Sequence, residues 1–313
     1  MKNRTYRNTV LVSLIFISFF CAACSSAPKR QMIYYDVSSL AYDNYEKANG
    51  AITRGNYEQA EKYLENAYAK AVSIDKNELI CKTLLSAVSL RLQSPKTETS
   101  ANDFGLPSDL EDLISEAKIA ASFCDNSIRP VLESVIRVYE ARIKLDRARN
   151  NLESITNSEI QKYLDEEIKN LTKEPYYLAF LYRTKGEWAF FLMNYKSAAE
   201  HFKIAADIHT KNRYLYEIAY DWYLCATSFS KDGKKAEAID AIQTALKYDR
   251  DAENSAAIAQ DYMASAYILI RNSPTSSEKE QALFNARRAE SVYKSIGLEE
   301  QAQACAEWIL ENK

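Results

Sequence analysis

The feature that most limits the fold is the helical spacing of apolar residues, which continues almost unbroken from about residue 37 onward. Glycine and proline number only six each among 313 residues. A β-sandwich or barrel needs turn residues every few positions, and these are missing. No Gly-x-Gly pair occurs either, which argues against a glycine-rich phosphate loop. The chain is therefore predicted to be all-helical.

Helix starts are marked by residues that favour a first turn. A hydroxyl residue followed three positions later by glutamate can form a capping box, which satisfies free backbone N–H groups. The candidates are Ser108 with Glu111, Thr156 with Glu159, and Thr275 with Glu278, while Pro130 and Pro175 also suit first turns. Loops are predicted at 94–107, 150–156 and 272–277. The helices then group into six antiparallel pairs, at 37–72, 76–124, 127–172, 175–210, 213–250 and 253–296, followed by a last helix at 298–312.

The strongest internal signal is a repeated pattern of small and large residues. It is clearest at residues 186–206 and 226–246, and a third copy lies at 48–67. In each copy a small residue stands where two helices would cross, a turn follows, and a small–large–small pattern recurs on the second helix. Small residues let two helices approach closely, and the large residue fills the remaining space.

This pattern resembles the tetratricopeptide repeat, a helix–turn–helix unit of 34 residues. The matching residues are Trp222 at the aromatic first position, Gly233 at the turn, and Ala238, Ile242 and Ala245 on the second helix. The repeat here is longer, with 40 residues from Ala205 to Ala245, and it lacks the family's final proline. The resemblance implies an all-α, tetratricopeptide-like α-solenoid over residues 37–313, with a C-terminal capping helix. A generic α-solenoid or an irregular helical bundle is the alternative.

The first 23 residues differ from the rest of the chain. Lys2, Arg4 and Arg7 give a positive start without an acidic residue, and an apolar run follows at 10–20. A positive start, a short apolar core and small residues together indicate an export signal. The apolar run is too short for a membrane-spanning helix, which needs about 20 residues. Residues 1–23 are therefore predicted to be a signal peptide.

The end of this segment, Cys21-Ala22-Ala23-Cys24, resembles a bacterial lipobox. In that family a peptidase cuts before the cysteine, and the cysteine thiol receives diacylglycerol. The third residue before the cut is usually leucine, whereas here it is Cys21. The resemblance implies lipidation of Cys24, a lipidated tether at 24–36, and attachment in the bacterial cell envelope. Ser25 is compatible with an outer-membrane position facing the periplasm. The alternative is an ordinary signal peptide followed by a chance cysteine.

Charge and cysteine usage narrow the possible partners. Without residues 1–23 the chain has 37 basic and 43 acidic residues, a net charge of −6, so no nucleic-acid partner is expected. The cysteines at 81, 124, 225 and 305 form no Cys-x-x-Cys pair and suit a core as small apolar residues. Export would also permit disulfide bonds, and Cys81 with Cys124 is the pairing to test.

Residues typical of catalysis or metal binding are sparse. The chain has two histidines, His201 and His209, and eight residues separate them, too many for both to ligate one metal from one helix. Both are expected as ordinary polar residues on the helix 195–210 or at its end. The adjacent acids at 111–112 and 166–167 are predicted on solvated helix faces. No cofactor, metal site or enzymatic activity is predicted.

Tyrosine is unusually frequent, with 22 residues. In tetratricopeptide proteins the first helices of the pairs line a concave groove, so the resemblance implies a partner groove here. The residues assigned to it are Tyr42, Tyr45, Phe180, Arg183, Tyr220, Tyr223, Met263 and Tyr267. Tyrosine offers apolar area together with a hydroxyl group, which suits a peptide or protein partner. The alternative is that these side chains pack between successive repeats.

Together these features predict a membrane-anchored envelope lipoprotein that acts as a protein–protein interaction scaffold or assembly factor. The alternative is a small-ligand-binding accessory lipoprotein of a solute transport system. A deep apolar pocket closed on several sides would favour the small ligand, and an open groove would favour envelope proteins or peptides as partners.

Overall fold

The computed structural model describes residues 36–94, 105–150 and 157–313, and the elements in these ranges are helices. They are α1 (Asp36–Thr53), α2 (Tyr57–Ser73), α3 (Asn77–Gln93), α4 (Leu110–Ser122), α5 (Arg129–Arg149), α6 (Asn157–Leu171), α7 (Pro175–Phe191), α8 (Tyr195–Asn212), α9 (Leu215–Lys231), α10 (Lys235–Asp251), α11 (Ser255–Ile270), α12 (Ser276–Ser295) and α13 (Glu299–Glu311). The predicted signal peptide, Cys24 and all but the last residue of the predicted tether lie outside the described residues.

The described helices belong to one compact unit, Leu40–Lys313, except for the first four residues of α1, which fall in the unit Met1–Ser39. No helix in the described ranges is both long and apolar enough to cross a membrane. The side-chain contacts discussed below all lie in the larger unit.

The helices stack in sequence order, as expected for a solenoid. From α2 to α13 each helix packs against the next one in sequence. First helices of three neighbouring pairs of repeats also touch, since α3 contacts α5, α5 contacts α7, and α9 contacts α11. The first helices therefore meet along one side of the stack, while α13 covers the last pair. The predicted six pairs and the C-terminal capping helix are confirmed.

The small–large–small pattern marks real helix crossings. Gly186 on α7 lies against Phe202 on α8, and a Cβ atom at Gly186 would come within 2.5 Å of the Phe202 ring. Phe202 is buried between Ala198 and Ala205, which are also buried. The corresponding buried residues of α2 and α10 are Ala60, Leu64, Ala67, Ala238, Ile242 and Ala245. The repeat pattern therefore identified the contact surfaces correctly.

Each turn between neighbouring helices in the ranges α1–α3 and α7–α13 contains a residue with left-handed backbone. These residues are Gly55, Asp75, Met193, Arg213, Gly233, Glu253, Asn272, Ser273 and Gly297. The next residue commonly donates its N–H to the carbonyl five positions earlier, as Asn194 does to Ala189 at 2.9 Å. The turns after α7 to α10 recur every 20 residues, at 193, 213, 233 and 253. This spacing gives 40 residues per helix pair and explains the longer repeat.

One predicted helix cap is wrong by one residue. Asp109, not Ser108, caps α4, and its carboxylate accepts a hydrogen bond of 2.8 Å from the backbone N–H of Glu111. A carboxylate at this position also offsets the positive end of the helix dipole. The other predicted first-turn residues in the described ranges are confirmed: Thr275 with Glu278, Pro130 and Pro175. Thr156 lies outside the described residues.

Candidate functional site

A cavity of about 450 Å³ follows the first helices of all six pairs. Side chains of α1, α3, α5, α7, α9 and α11 line it, together with Tyr57 at the start of α2, Asp249 near the end of α10, and the turns next to α1 and α11. Eight tyrosines are among them: Tyr45, Tyr57, Tyr139, Tyr176, Tyr177, Tyr216, Tyr220 and Tyr223. We call this cavity the groove. Its volume falls within the range of ligand sites, about 300–1,000 Å³.

Five of the eight predicted groove residues line the groove, namely Tyr45, Phe180, Arg183, Tyr220 and Tyr223. Tyr42 lies elsewhere, with the ammonium group of Lys76 5.0 Å from its ring centroid. Met263 packs among core residues of the last helices. The ring of Tyr267 meets Trp308 of α13 edge-on, with 5.5 Å between centroids. The capping helix therefore occupies the later turns of α11, and the groove uses its earlier turns.

Aromatic rings of the groove contact one another or a cation. The rings of Tyr139 on α5 and Phe180 on α7 are 4.8 Å apart. The guanidinium of Arg142 lies 5.0 Å from the Phe180 centroid, and that of Arg183 lies 5.0 Å from the Tyr220 centroid. These contacts join neighbouring repeats and hold the rings in place. The groove wall is thus formed before any partner arrives.

Tyr220 and Tyr223 form a stacked pair on α9. Their rings are nearly parallel, at 9°, with centroids 6.4 Å apart. Tyr220 is 47% exposed, whereas Tyr223 also packs against the core formed by α7 to α11. Burial raises the pKa of the Tyr223 hydroxyl, so it remains protonated and can donate a hydrogen bond at neutral pH. Of the two, Tyr220 is more available to a partner.

A buried ionic chain supports Arg183. Its Nε donates to Oδ1 of Asp221 at 2.5 Å, and Oδ2 of Asp221 lies 2.7 Å from Nδ1 of His209. Burial alone would lower the pKa of Arg183, but the Asp221 carboxylate outweighs it and raises the pKa above its usual value. His209 lies near the end of α8, as predicted, and both His209 and Asp221 are buried. Asp221 holds Arg183 in one orientation in the groove wall.

Charge is distributed unevenly along the groove. The basic residues lie on or next to α1 to α7: Arg54, Lys82, Arg142 and Arg183. The acidic residues lie on α9 to α11: Glu217, Asp249 and Asp261. Some basic groups are already paired, since Lys82 contacts Glu78 at 2.5 Å and Arg142 contacts Glu187 at 3.3 Å. One end of the groove is therefore basic and the other acidic.

The acidic end contains two neighbouring buried carboxyl groups. Asp249, near the end of α10, and Asp261, on α11, are close enough to share a hydrogen bond. Burial, together with the charge of Asp249, raises the pKa of Asp261. Burial likewise raises the pKa of Asp249, although hydrogen bonds with Asp261 and Asn254 oppose this effect. The pair therefore retains a proton at pH values where an exposed aspartate is ionised.

Sequence reasoning missed this pair and several tyrosines. In two of the helix pairs no tyrosine was predicted to line the groove, yet the structure places Tyr139, Tyr176 and Tyr177 there. A usable signal was present for Asp261, because it is the one charged residue in the mostly apolar and small sequence of α11. The prediction that the acids at 166–167 lie on a solvated helix face is also wrong in part. Glu167 is buried and pairs with the guanidinium of Arg137 at 2.5 Å and 2.7 Å.

The cysteines and acids suggest no further chemical centre. The four cysteines in the described ranges are buried free thiols. Burial, with a smaller effect of Cys124, raises the pKa of Cys81 to about 12, so these two predicted partners lie near each other as unreactive thiols. Within the described part of the chain, no group of three or more metal-ligating side chains is found.

Comparison with known proteins gives a likeness of fold. No family model and no curated protein matches the chain. A Rap protein solved in complex with competence and sporulation factor is similar, with a TM-score of 0.55 and 15% identity over 87% of this chain and 74% of that one. Aspartyl phosphate phosphatase F from Bacillus subtilis gives a TM-score of 0.49 and 14% identity, over 87% and 70%. The first likeness confirms the predicted tetratricopeptide-like helical solenoid.

Proposed function

We propose that this protein is a lipid-anchored scaffold of the bacterial cell envelope whose groove binds a peptide or an extended segment of a partner protein. The observation that supports the groove is one cavity shared by the first helices of all six pairs and lined by eight tyrosines. Tyrosine is enriched where proteins bind proteins, because its ring supplies area and its hydroxyl supplies a hydrogen bond.

The lining suits an extended backbone. Such a backbone carries N–H and C=O groups that must find partners when it leaves water. The groove offers hydroxyl and amide groups next to its rings, including Asn49, Ser86, Ser89 and Gln260. Its opposite charges at the two ends also suit a chain that carries both a positive and a negative group.

A binding role fits the groove better than a catalytic one. Three of its four basic side chains are paired with carboxylates, as in Arg183–Asp221 and Arg142–Glu187. Such pairs fix the shape and charge of a wall rather than activate a nucleophile. We therefore propose that the protein acts by holding a partner, without catalysis.

Site-specific photocrosslinking in the native cell tests the groove. A photoreactive amino acid replaces Tyr220, which lies in the groove, or Phe284, which is 53% exposed on α12 outside it. We expect a discrete crosslinked species from position 220 and none from position 284. Equal crosslinking from both positions, or none from position 220, would contradict the proposal.

The alternative function is small-ligand binding for a solute transport system. The specific observation in its favour is the groove volume of about 450 Å³, which suits a small molecule. Native mass spectrometry of the protein purified from its own cells separates the two functions. A bound molecule of one defined small mass would favour the alternative, and a peptide or crosslinked protein would favour the scaffold.

The membrane anchor is proposed from the amino-terminal pattern. A positive start, an apolar run and the sequence Cys21-Ala22-Ala23-Cys24 occur in the order that a lipoprotein signal requires. We expect Cys24→Ala to leave the protein uncleaved or without lipid. Its matched control, Cys21→Ala, should still be cleaved and partition into detergent. If Cys24→Ala still partitions with lipid and is cleaved normally, the anchor proposal is wrong.

An outer-membrane position is the remaining part of the proposal. Ser25, rather than an aspartate, follows the proposed lipidated cysteine. We expect wild-type protein in the outer-membrane fraction of a density gradient and Ser25→Asp in the inner-membrane fraction. An unchanged distribution of Ser25→Asp would argue against sorting through this residue.

A further inference from the structure

The acidic end of the groove has a pair of buried carboxyl groups, and one oxygen of this pair lacks a hydrogen-bond donor. Asp249 and Asp261 both line the groove and are only 3% and 2% exposed. No described N–H or O–H group donates to Oδ2 of Asp261, although that atom is buried. A buried carboxylate without a donor is costly, so such a site favours a group that brings donors to it.

A basic side chain close to the pair does not fill this role. Arg250 influences Asp261 through its charge, but its guanidinium donates to the Tyr262 hydroxyl at 2.6 Å. Its Cζ also lies 5.6 Å from the centroid of the same ring. Asn254 supplies a hydrogen bond to Asp249 and not to the open oxygen of Asp261. The oxygen without a donor therefore belongs to a residue of the groove lining, and no described side chain fills its place.

We propose that Asp249 and Asp261 form a subsite for a positively charged nitrogen group of a bound peptide, either a free amino terminus or a basic side chain. This inference rests on the proposed function of the groove. An ammonium or guanidinium group supplies several N–H donors, which two adjacent carboxylates can accept together. With the basic residues at the other end, the pair would also fix the direction in which the peptide lies.

Proton linkage provides an independent signature of this subsite. Without ligand, burial and the neighbouring carboxyl raise both pKa values, so the pair holds a proton at neutral pH. The other groups that act on Asp261 or respond to its charge are Arg250, Tyr223 and Tyr293. A cation that binds the pair replaces this proton and favours full ionisation. Binding at pH 7 should therefore release a proton.

Affinity selection with synthetic short peptides tests the subsite. The mature full-length protein is incubated with four mixtures, which have a free or acetylated amino terminus and contain or lack Lys and Arg. Retained peptides are identified by mass spectrometry, and the affinity of the best one is measured by calorimetry in two buffers. We expect the wild type to retain peptides with a cationic group and to release a proton on binding. Comparison of the four mixtures distinguishes the amino terminus from the basic side chain.

The variants separate charge recognition from folding. Asp261→Asn should weaken the best peptide roughly 10- to 100-fold and abolish proton release. Asp251→Asn, the same change at an exposed position of α10, should leave both unchanged. If the wild type retains peptides without regard to their charge, or if Asp261→Asn binds them equally well, the proposed cation subsite is wrong. The proposal that the groove binds a peptide would then remain. If the wild type retains no peptide from any mixture, both proposals are wrong.

Discussion

Replacing Gly186 with alanine should destabilise the protein, although alanine is the better helix former. A Cβ atom at this position would lie 2.5, 2.6 and 2.9 Å from three ring atoms of Phe202. Carbon atoms in contact prefer about 3.5–4.0 Å, so the ring must move by about 1 Å within a packed crossing. Overpacking of this kind costs about 1–3 kcal/mol, whereas the gain in helix propensity is at most about 1 kcal/mol. We expect a net loss of about 1–2 kcal/mol, measured by urea denaturation.

Two further variants make this measurement decisive. At Gly50 on α1 the nearest atom to a new Cβ is an end of the flexible Arg54 side chain, at 3.3 Å, so Gly50→Ala should be neutral or mildly stabilising. Phe202→Leu removes part of the ring, so the double variant with Gly186→Ala should be more stable than the sum of the single losses by at least about 0.5 kcal/mol. Equal effects at Gly186 and Gly50, or strict additivity of the double variant, would refute the crossing described here.

The remaining predictions concern a turn, the acidic pair and the groove tyrosines. Met193 is 74% exposed and has a φ of 59°, so Met193→Gly should raise the free energy of unfolding by about 1 kcal/mol in urea; a lower value would show that this turn is unstrained. Burial and the neighbouring Asp249 raise the pKa of Asp261, so from weakly acidic to weakly basic pH the folded state binds a proton that the unfolded state has lost. Stability should therefore fall as the pH rises through this range, and thermal melts of Asp261→Asn should show a weaker fall; an identical pH profile would count against a buried acid. Tyr220→Ala should change unfolding free energy by no more than about 0.5 kcal/mol, whereas Tyr223→Ala should cost more, and a reversed order would show that the two environments are misassigned.

The architecture could be predicted because its signals are local and repeated. The spacing of apolar residues defines the helices, and small residues such as Gly186 and Ala198 mark the faces that must approach closely. Four positions separate Ala198 from Phe202, which is enough to place both on one face of α8. The pattern therefore contained the pairing of helices without any long-range information.

The candidate site was harder to predict, because its members come from different repeats. Nothing local distinguishes Asp221, which pairs with Arg183 of the preceding pair, from a solvated acid on a helix. On a helical projection, Met263 and Tyr267 share a face with groove residues of α11. In the structure, however, α13 packs against the later turns of α11 and covers both side chains. The contact between Asp249 and Asp261 likewise depends on the tight turn at Glu253, which brings the end of α10 next to α11.

The groove also bears on how the solenoid opens. In a repeat protein most contacts join neighbouring units, so the ends can fray while the centre stays folded. Tyr45 on α1 and Asp261 on α11 nevertheless line the same cavity. A ligand that touches both would connect units far apart in sequence, and its loss would have to accompany the opening of either end. When such a ligand is bound, the two ends should therefore open together instead of fraying gradually. Hydrogen exchange would then show similar protection in the first and last helix pairs.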